Sequence, residues 1–355
     1  MNVGIVSQWR NQGQATLSRH LRDALDELGH RTYVLARPTR EQHTFPGMID
    51  RSDVWQQPDV EEASRFEIPA AEYERWASRN AIEVVFFNQN YQFDQVRGLR
   101  ERGVRTIGYF VWESFRECDV EPARGAYDVV YSLNRATRDR YEELGIESPL
   151  LRWGCHPELL AVAPPKRAGG IHFFFPGGLR GPRKPLAATV EAFMKCPSQD
   201  ARLLLKAQGF AARGEQVPRV DDPRIEQVVA DLKCAEYYDL FASCHVCLAP
   251  SRWEGTGLHL FEAAAFGLPV ITNDIPPMNE LVQSGVNGRL VRSVRIGKTR
   301  SGIPRYDPDV ADLRAAIEEL MDPETRARLS EGARRRAGEL AWEHTLTDLR
   351  QLLAR

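Results

Sequence analysis

The run PSRWEGTGLHLFEAAAFGLPVITND, residues Pro250–Asp274, decides the fold. HVCLAP (His245–Pro250) leads into it as a short buried strand, and VITND (Val270–Asp274) closes it as another. Between them Leu258–Phe266 holds good helix formers and no proline; Gly267 stops the helix and Pro269 enforces the stop. The order strand–turn–helix–strand is a βαβ unit, with its turn at the carboxyl end of the first strand, where open α/β sheets bind ligands. Gly255 and Gly257 allow close backbone approach in that turn. The N–H groups of Thr256, Gly257 and Leu258 are expected to point out of the helix start and carry the partial positive charge of its dipole. Glu254 stands before the turn and Glu262 two helical turns further on, seven residues between them. A carboxylate on each side of an anion site suits a ligand with phosphates in its middle and hydroxyls at both ends. The same spacing also fits a ligand-free glycine turn with two solvated glutamates.

Working outward, strands and helices alternate. NVGIVS is a strand, Gln14–Leu28 a helix closed by Gly29, and RTYVLA the next strand. Leu17, Leu21, Ala24, Leu25 and Leu28 share one helical face. EVVFFN, RTIGYFVW and VVYSL are buried strands, each followed by a helix, whereas residues 39–70 are polar, proline-bearing and aperiodic. GCHPELL marks a crossing, after which IHFFFPG, ARLLLKA and the strands at 245–249 and 270–273 build a second sheet. Repeated β-then-α order predicts an α/β protein with parallel sheets covered by helices on both faces. At 355 residues the chain is long for one core, so two domains are expected. The basic segment Arg289–Asp309 reads as a hairpin, either a solvated arm or one that touches a substrate.

Lys and Arg number 47 against 49 Asp and Glu, and this near balance gives no basic surplus for nucleic acid. No apolar run approaches the ~20 residues of a membrane span, and membrane association is not indicated. The start, MNVGIVSQWRNQGQ, reads as a strand and polar loop rather than a signal peptide. Six cysteines are scattered; Cys244 and Cys247 form a C-x2-C with no second pair at zinc spacing. They read as small buried hydrophobes, and the expected compartment is a reducing cytoplasm. No metal site is expected. No G-x-G-x-x-G follows the first strand, which argues against a dinucleotide oxidoreductase.

The run at 250–274 resembles the signature of glycosyltransferase family 4, whose Glu-x7-Glu element matches at Glu254 and Glu262. FFFPGGLRGPRKPLAATVEAF (Phe173–Phe193), MNELVQSGVNGRLV (Met278–Val291) and AWEHTL (Ala341–Leu346) extend the resemblance; the amino-terminal half matches in outline only. The resemblance implies a GT-B fold, two Rossmann-like domains with parallel sheets facing across a cleft. Residues 1–154 form the acceptor domain, 155–340 the nucleotide-sugar domain, and 341–355 a helix crossing back to the first. It implies a retaining, metal-independent transfer from a UDP- or GDP-linked sugar, with the leaving phosphate as base. The nucleotide sugar is a co-substrate, and no other cofactor is implied. Glu262 then accepts from the ribose hydroxyls and Glu254 sits by the donor sugar. Lys184 matches the family lysine that meets the pyrophosphate. The family arginine falls at Gly178, so Arg180 or Arg183 is expected to replace it; a solvated basic loop is the plainer reading. Thr256, Gly257 and Leu258 complete the donor site. Acceptor candidates are Gly13 in the loop after the first strand, Glu113 where the family often has a histidine, and Tyr91. The acceptor itself stays open among sugars, glycans and small metabolites. Another GT-B enzyme, an epimerase or phosphorylase, and a non-catalytic sugar-nucleotide-binding protein are the alternatives.

Overall fold

The computed structural model describes the chain except residues 40–47, 179–180 and 210–219. It divides into two compact units, Met1–Trp153 with Glu343–Arg355, and Gly154–Trp342.

Unit 1 runs β1 (Asn2–Gln8), α1 (Gly13–Glu27), β2 (Arg31–Arg37), β3 (Val60–Glu62), α2 (Ala70–Arg79), β4 (Val84–Asn88), α3 (Phe93–Glu101), β5 (Arg105–Tyr109), α4 (Val120–Ala126), β6 (Val129–Tyr131) and α5 (Arg135–Glu143). Its six strands lie in the order β3-β2-β1-β4-β5-β6, and every pair is parallel. Strands covered on both faces read as near-continuous apolar runs. VVFFN in β4 is buried throughout, and Tyr73, Trp76, Phe87 and Phe110 share one core. The stretch expected to be irregular between 39 and 70 holds β3, a correction to the sequence reading. VEE carries no apolar alternation, and only its pairing with β2 makes it a strand.

Unit 2 runs α6 (Pro157–Leu160), β7 (Ile171–Gly178), α7 (Leu186–Met194), β8 (Ala201–Ala207), β9 (Ile225–Val229), α8 (Cys234–Ala242), β10 (Val246–Leu248), α9 (Leu258–Ala265), β11 (Val270–Asn273), α10 (Met278–Leu281), β12 (Gly288–Val291), β13 (Ser293–Lys298), β14 (Pro304–Pro308), α11 (Val310–Glu319) and α12 (Pro323–Glu339). The parallel sheet has the order β12-β11-β10-β7-β8-β9, over a core that includes Phe173, Phe175, Leu203, Leu248 and Ile271. The basic segment forms the antiparallel hairpin β13–β14. α13 (Trp342–Ala354) lies almost wholly in unit 1: Arg105 donates to the carbonyls of Leu352 and Leu353, and Arg152 pairs with Asp348 at 2.7 Å.

Both sheets follow one plan. The first strand of each unit lies mid-sheet, and the direction of winding reverses beside it, between β1 and β4 in unit 1 and between β7 and β10 in unit 2. In open α/β sheets ligands bind at such a reversal, at the carboxyl ends of the strands. Among the described residues no helix is long and apolar enough to cross a membrane.

Candidate functional site

In unit 2 the two loops at the reversal are those after β7 and β10, and they are stapled together. The Arg252 backbone N–H donates to the Arg183 carbonyl at 2.9 Å, and the Arg252 guanidinium donates to the Pro182 carbonyl at 2.8 Å. Gly177 sits where a Cβ would come within 2.8 Å of the Lys206 carbonyl, so β7 ends packed against β8 with no room for a side chain. The chain then turns through Gly178 at φ 53 and returns to Arg183 and Lys184.

There the Lys184 ammonium donates to Glu254 Oε1 at 2.7 Å and to the Ser251 hydroxyl at 2.9 Å, while Arg183 faces Glu254 Oε2 at 3.3 Å. Glu254 is 3% exposed. Burial alone would raise its carboxyl, but Arg183 and Lys184 outweigh burial and hold it far below the usual carboxylate range. The same burial pulls the Lys184 ammonium down, against the pull of Glu254. The result is a buried carboxylate with two cations on it.

Gly257 caps α9 in the left-handed region, φ 72 and ψ 45, a conformation a Cβ disfavours. In the first turn of α9 the Leu260 N–H donates back to the Gly257 carbonyl at 2.8 Å, and the helix start bears the positive pole. His259, in this first turn, has a buried Nε2 without a hydrogen-bond partner, 3.9 Å from Glu254 Oε1. Burial and the neighbouring Lys184 push its imidazolium down to about 3, so the ring is neutral at physiological pH. One turn further, buried Glu262 accepts from the Tyr237 hydroxyl at 3.2 Å. Burial pushes its carboxyl up to about 7, against the Tyr237 hydrogen bond. The alternative of two solvated glutamates is thereby excluded. Tyr237 is itself set by Phe174 of β7, the ring centroids 5.9 Å apart.

The structure therefore brings Arg183, Lys184, Glu254, Gly257 and Glu262 onto the crevice-forming loops and α9, with Gly178 at the root of the first loop and Thr256 and Leu258 beside Gly257. Arg180 lies outside the described residues. Ser251, His259 and Tyr237 join the cluster unannounced. The one sequence signal that could have found His259 is its place between the two glutamates, and nothing in CAEYYDLF separates Tyr237 from Tyr238. Among the described residues, no three His, Cys, Asp or Glu side chains of unit 2 converge as a metal would require. The hairpin closes one side of the loop: the Tyr306 N–H donates to the Arg252 carbonyl at 3.1 Å, and Arg305 lies over Trp253 at 5.5 Å.

The acceptor candidates lie in unit 1. Gly13 is the first residue of α1, and Glu113 sits in the turn after β5. Tyr91, after β4, lines an open cavity of about 620 Å³ at the carboxyl ends of the strands.

Residues 170–322 match the family model described as Glycosyl transferases group 1. A D-inositol 3-phosphate glycosyltransferase of Geodermatophilus obscurus is 29% identical over 184 residues, 48% of this chain and 36% of that relative. The chain thus spans little more than a third of that relative's length. Among solved structures, HepE of Anabaena in complex with UDP-glucose superposes with a TM-score of 0.75 at 14% identity, covering all of both chains. Sucrose-phosphate synthase of Thermosynechococcus elongatus does so at 0.72 and 18% identity, covering 100% of this chain and 98% of that one. The fold is GT-B.

Proposed function

We propose that this chain, a member of the group 1 glycosyl transferases through its second unit, moves a sugar from a nucleoside diphosphate to an acceptor hydroxyl. The observation that carries the reading is the buried Lys184–Glu254–Arg183 cluster, set against the positive end of α9 at the reversal of the sheet. A diphosphate entering there meets two cations and a helix start, and it competes with Glu254 for both cations. As the glycosidic bond breaks, charge builds on the leaving phosphate, and preorganised donors lower the barrier because they need no rearrangement. Glu254, released from Lys184, faces the donor sugar. Glu262 accepts from the two ribose hydroxyls, for which a carboxylate oxygen pair is suited.

The donor is UDP- or GDP-linked, the reaction retaining and metal-independent, and the leaving phosphate oxygen takes the acceptor proton. A hydrolytic pair of carboxylates is disfavoured by geometry. Glu262 lies on the helix that Glu254 precedes, and Lys184 and Arg183 hold Glu254 ionised, so neither flanks one bond as an acid and base must. Unit 1 supplies the acceptor through Tyr91 and its neighbours. The six scattered cysteines support a cytoplasmic location.

The test is transfer from a panel of UDP- and GDP-sugars to a panel of acceptors, with the Glu262→Ala and Lys184→Met variants alongside. Nucleoside diphosphate is expected to appear only when acceptor is present. Each variant should lose about 10²–10³ in kcat while keeping its circular dichroism. Turnover of donor without acceptor, or full activity in both variants, overturns the assignment.

A further inference from the structure

Unit 1 repeats the strand order of unit 2, and the cavity lined by Tyr91 sits at its own reversal, beyond β1 and β4. Gln8, Gln14, Asn88, Gln89 and Tyr91 are among the residues that line it. Three of these residues carry buried polar atoms with no hydrogen-bond partner: Asn88 Oδ1, Gln89 Nε2 and the Tyr91 hydroxyl. Asn88 is 7% exposed. Its Nδ2 donates to the Gln14 carbonyl and the Ser18 hydroxyl, both at 2.8 Å, which fixes the amide and leaves Oδ1 lacking a donor. Gln89 holds φ 55, a left-handed conformation unusual for a side-chain-bearing residue. Its N–H donates to the Tyr109 carbonyl, and its own carbonyl accepts from Arg37. A buried polar atom without a partner is destabilising, and three of the residues that line the cavity carry one, Gln89 on a strained backbone.

The charges around the cavity are already matched. The Arg37 guanidinium lies 3.9 Å over the Phe66 ring, donates to the Phe66 carbonyl at 2.9 Å and faces Glu67 at 3.8 Å. Arg116 is paired with Asp119 at 3.3 Å. Burial, with Asp119 and Glu113 nearby, holds the Tyr91 hydroxyl firmly protonated. Among the described residues, each cation on the cavity wall therefore has its anion.

We propose, building on the transferase reading above, that this cavity takes an uncharged polyhydroxy acceptor, a sugar or cyclitol with free hydroxyls, and rejects its phosphorylated form. Asn88 Oδ1 needs a donor, Gln89 Nε2 needs an acceptor, and Tyr91 serves as either. A hydroxyl group is both donor and acceptor and completes all three. A phosphate offers mainly acceptors, leaves Asn88 Oδ1 unmatched and finds each guanidinium already engaged.

Saturation-transfer NMR on the full-length protein tests this with D-glucose, D-mannose and myo-inositol, each beside its monophosphate. At least one neutral compound is expected to bind saturably, and its monophosphate about tenfold or more weakly. Tyr91→Phe and Gln89→Ala should each weaken the neutral compound severalfold and leave calorimetric binding of nucleotide sugar unchanged. A monophosphate that binds as well as its neutral partner, failure of all three neutral compounds, or unaltered binding in both variants overturns the proposal. The two readings fail separately. Neutral binding without nucleotide-sugar binding would sink the transferase assignment and keep the cavity, and the reverse result would do the opposite.

Discussion

Glu262 carries a proton that the free carboxyl would lose at 4.5, because burial pushes it up to about 7. Its charged form is disfavoured in the fold, so this group's contribution to stability falls as pH rises from about 4.5 to about 7. Ligand binding runs the other way. Ribose hydroxyls stabilise the carboxylate, so affinity for UDP-glucose, whose diphosphate does not titrate in this range, should rise between pH 6 and 8. Below 7 the slope approaches about tenfold per pH unit, and Glu262→Gln should flatten it. Calorimetry across pH checks this. At Lys184 two effects separate. Lys184→Met leaves the buried Glu254 carboxylate with Arg183 alone and should cost about 3 kcal/mol in denaturant unfolding. Adding Glu254→Gln should restore most of that stability and none of the activity. The sequence made both residues candidates, but it carried no sign of their direct ion pair. That contact depends on the Arg252 staple between two loops some seventy residues apart. The Ser251, His259 and Tyr237 contributions were illegible for the same reason, since each depends on which loops and helices meet.

The α9 start shows how an element was legible. The glycine turn, the helix formers and the Gly267–Pro269 stop each carry a local backbone requirement, and the helix found is Leu258–Ala265. Gly257 is the residue on which its start depends. Gly257→Ala should lower stability by roughly 1–2 kcal/mol through the left-handed φ alone. It should also weaken nucleotide-sugar binding by displacing the first-turn N–H groups; thermal unfolding and calorimetry read the two effects. The strands that escaped notice share a cause. IEQVV in β9 is an edge strand with partly exposed faces, GRLV in β12 is four residues long, and VEE in β3 is polar. Edge strands are defined by their neighbours more than by their own pattern. The β13–β14 hairpin was legible from its turn residues, while its packing on Trp253 was not.

On the scale of the chain, two sheets with one winding order place two crevices by one rule, and alternation of strands and helices is enough to foresee that rule. What alternation cannot supply is the polar inventory of each crevice. In unit 2 it is cationic and carboxylate-bearing; in unit 1 it is built of amides and a tyrosine, with its charges matched. The closing helix belongs to the first unit by its contacts, through Arg105 and the Arg152–Asp348 pair. Removing residues 343–355 should therefore destabilise unit 1 first. Hydrogen exchange should show protection falling in β5 while β7 and β10 keep theirs.

The most direct test of the donor site is calorimetric titration of the full-length protein with a set of UDP- and GDP-sugars, beside Lys184→Met and Glu262→Ala. One nucleotide class should bind saturably at one site, and each variant should weaken it by about tenfold or more, equivalent to about 1.4 kcal/mol. Binding of none of them, or equal binding by wild type and both variants, would contradict the account.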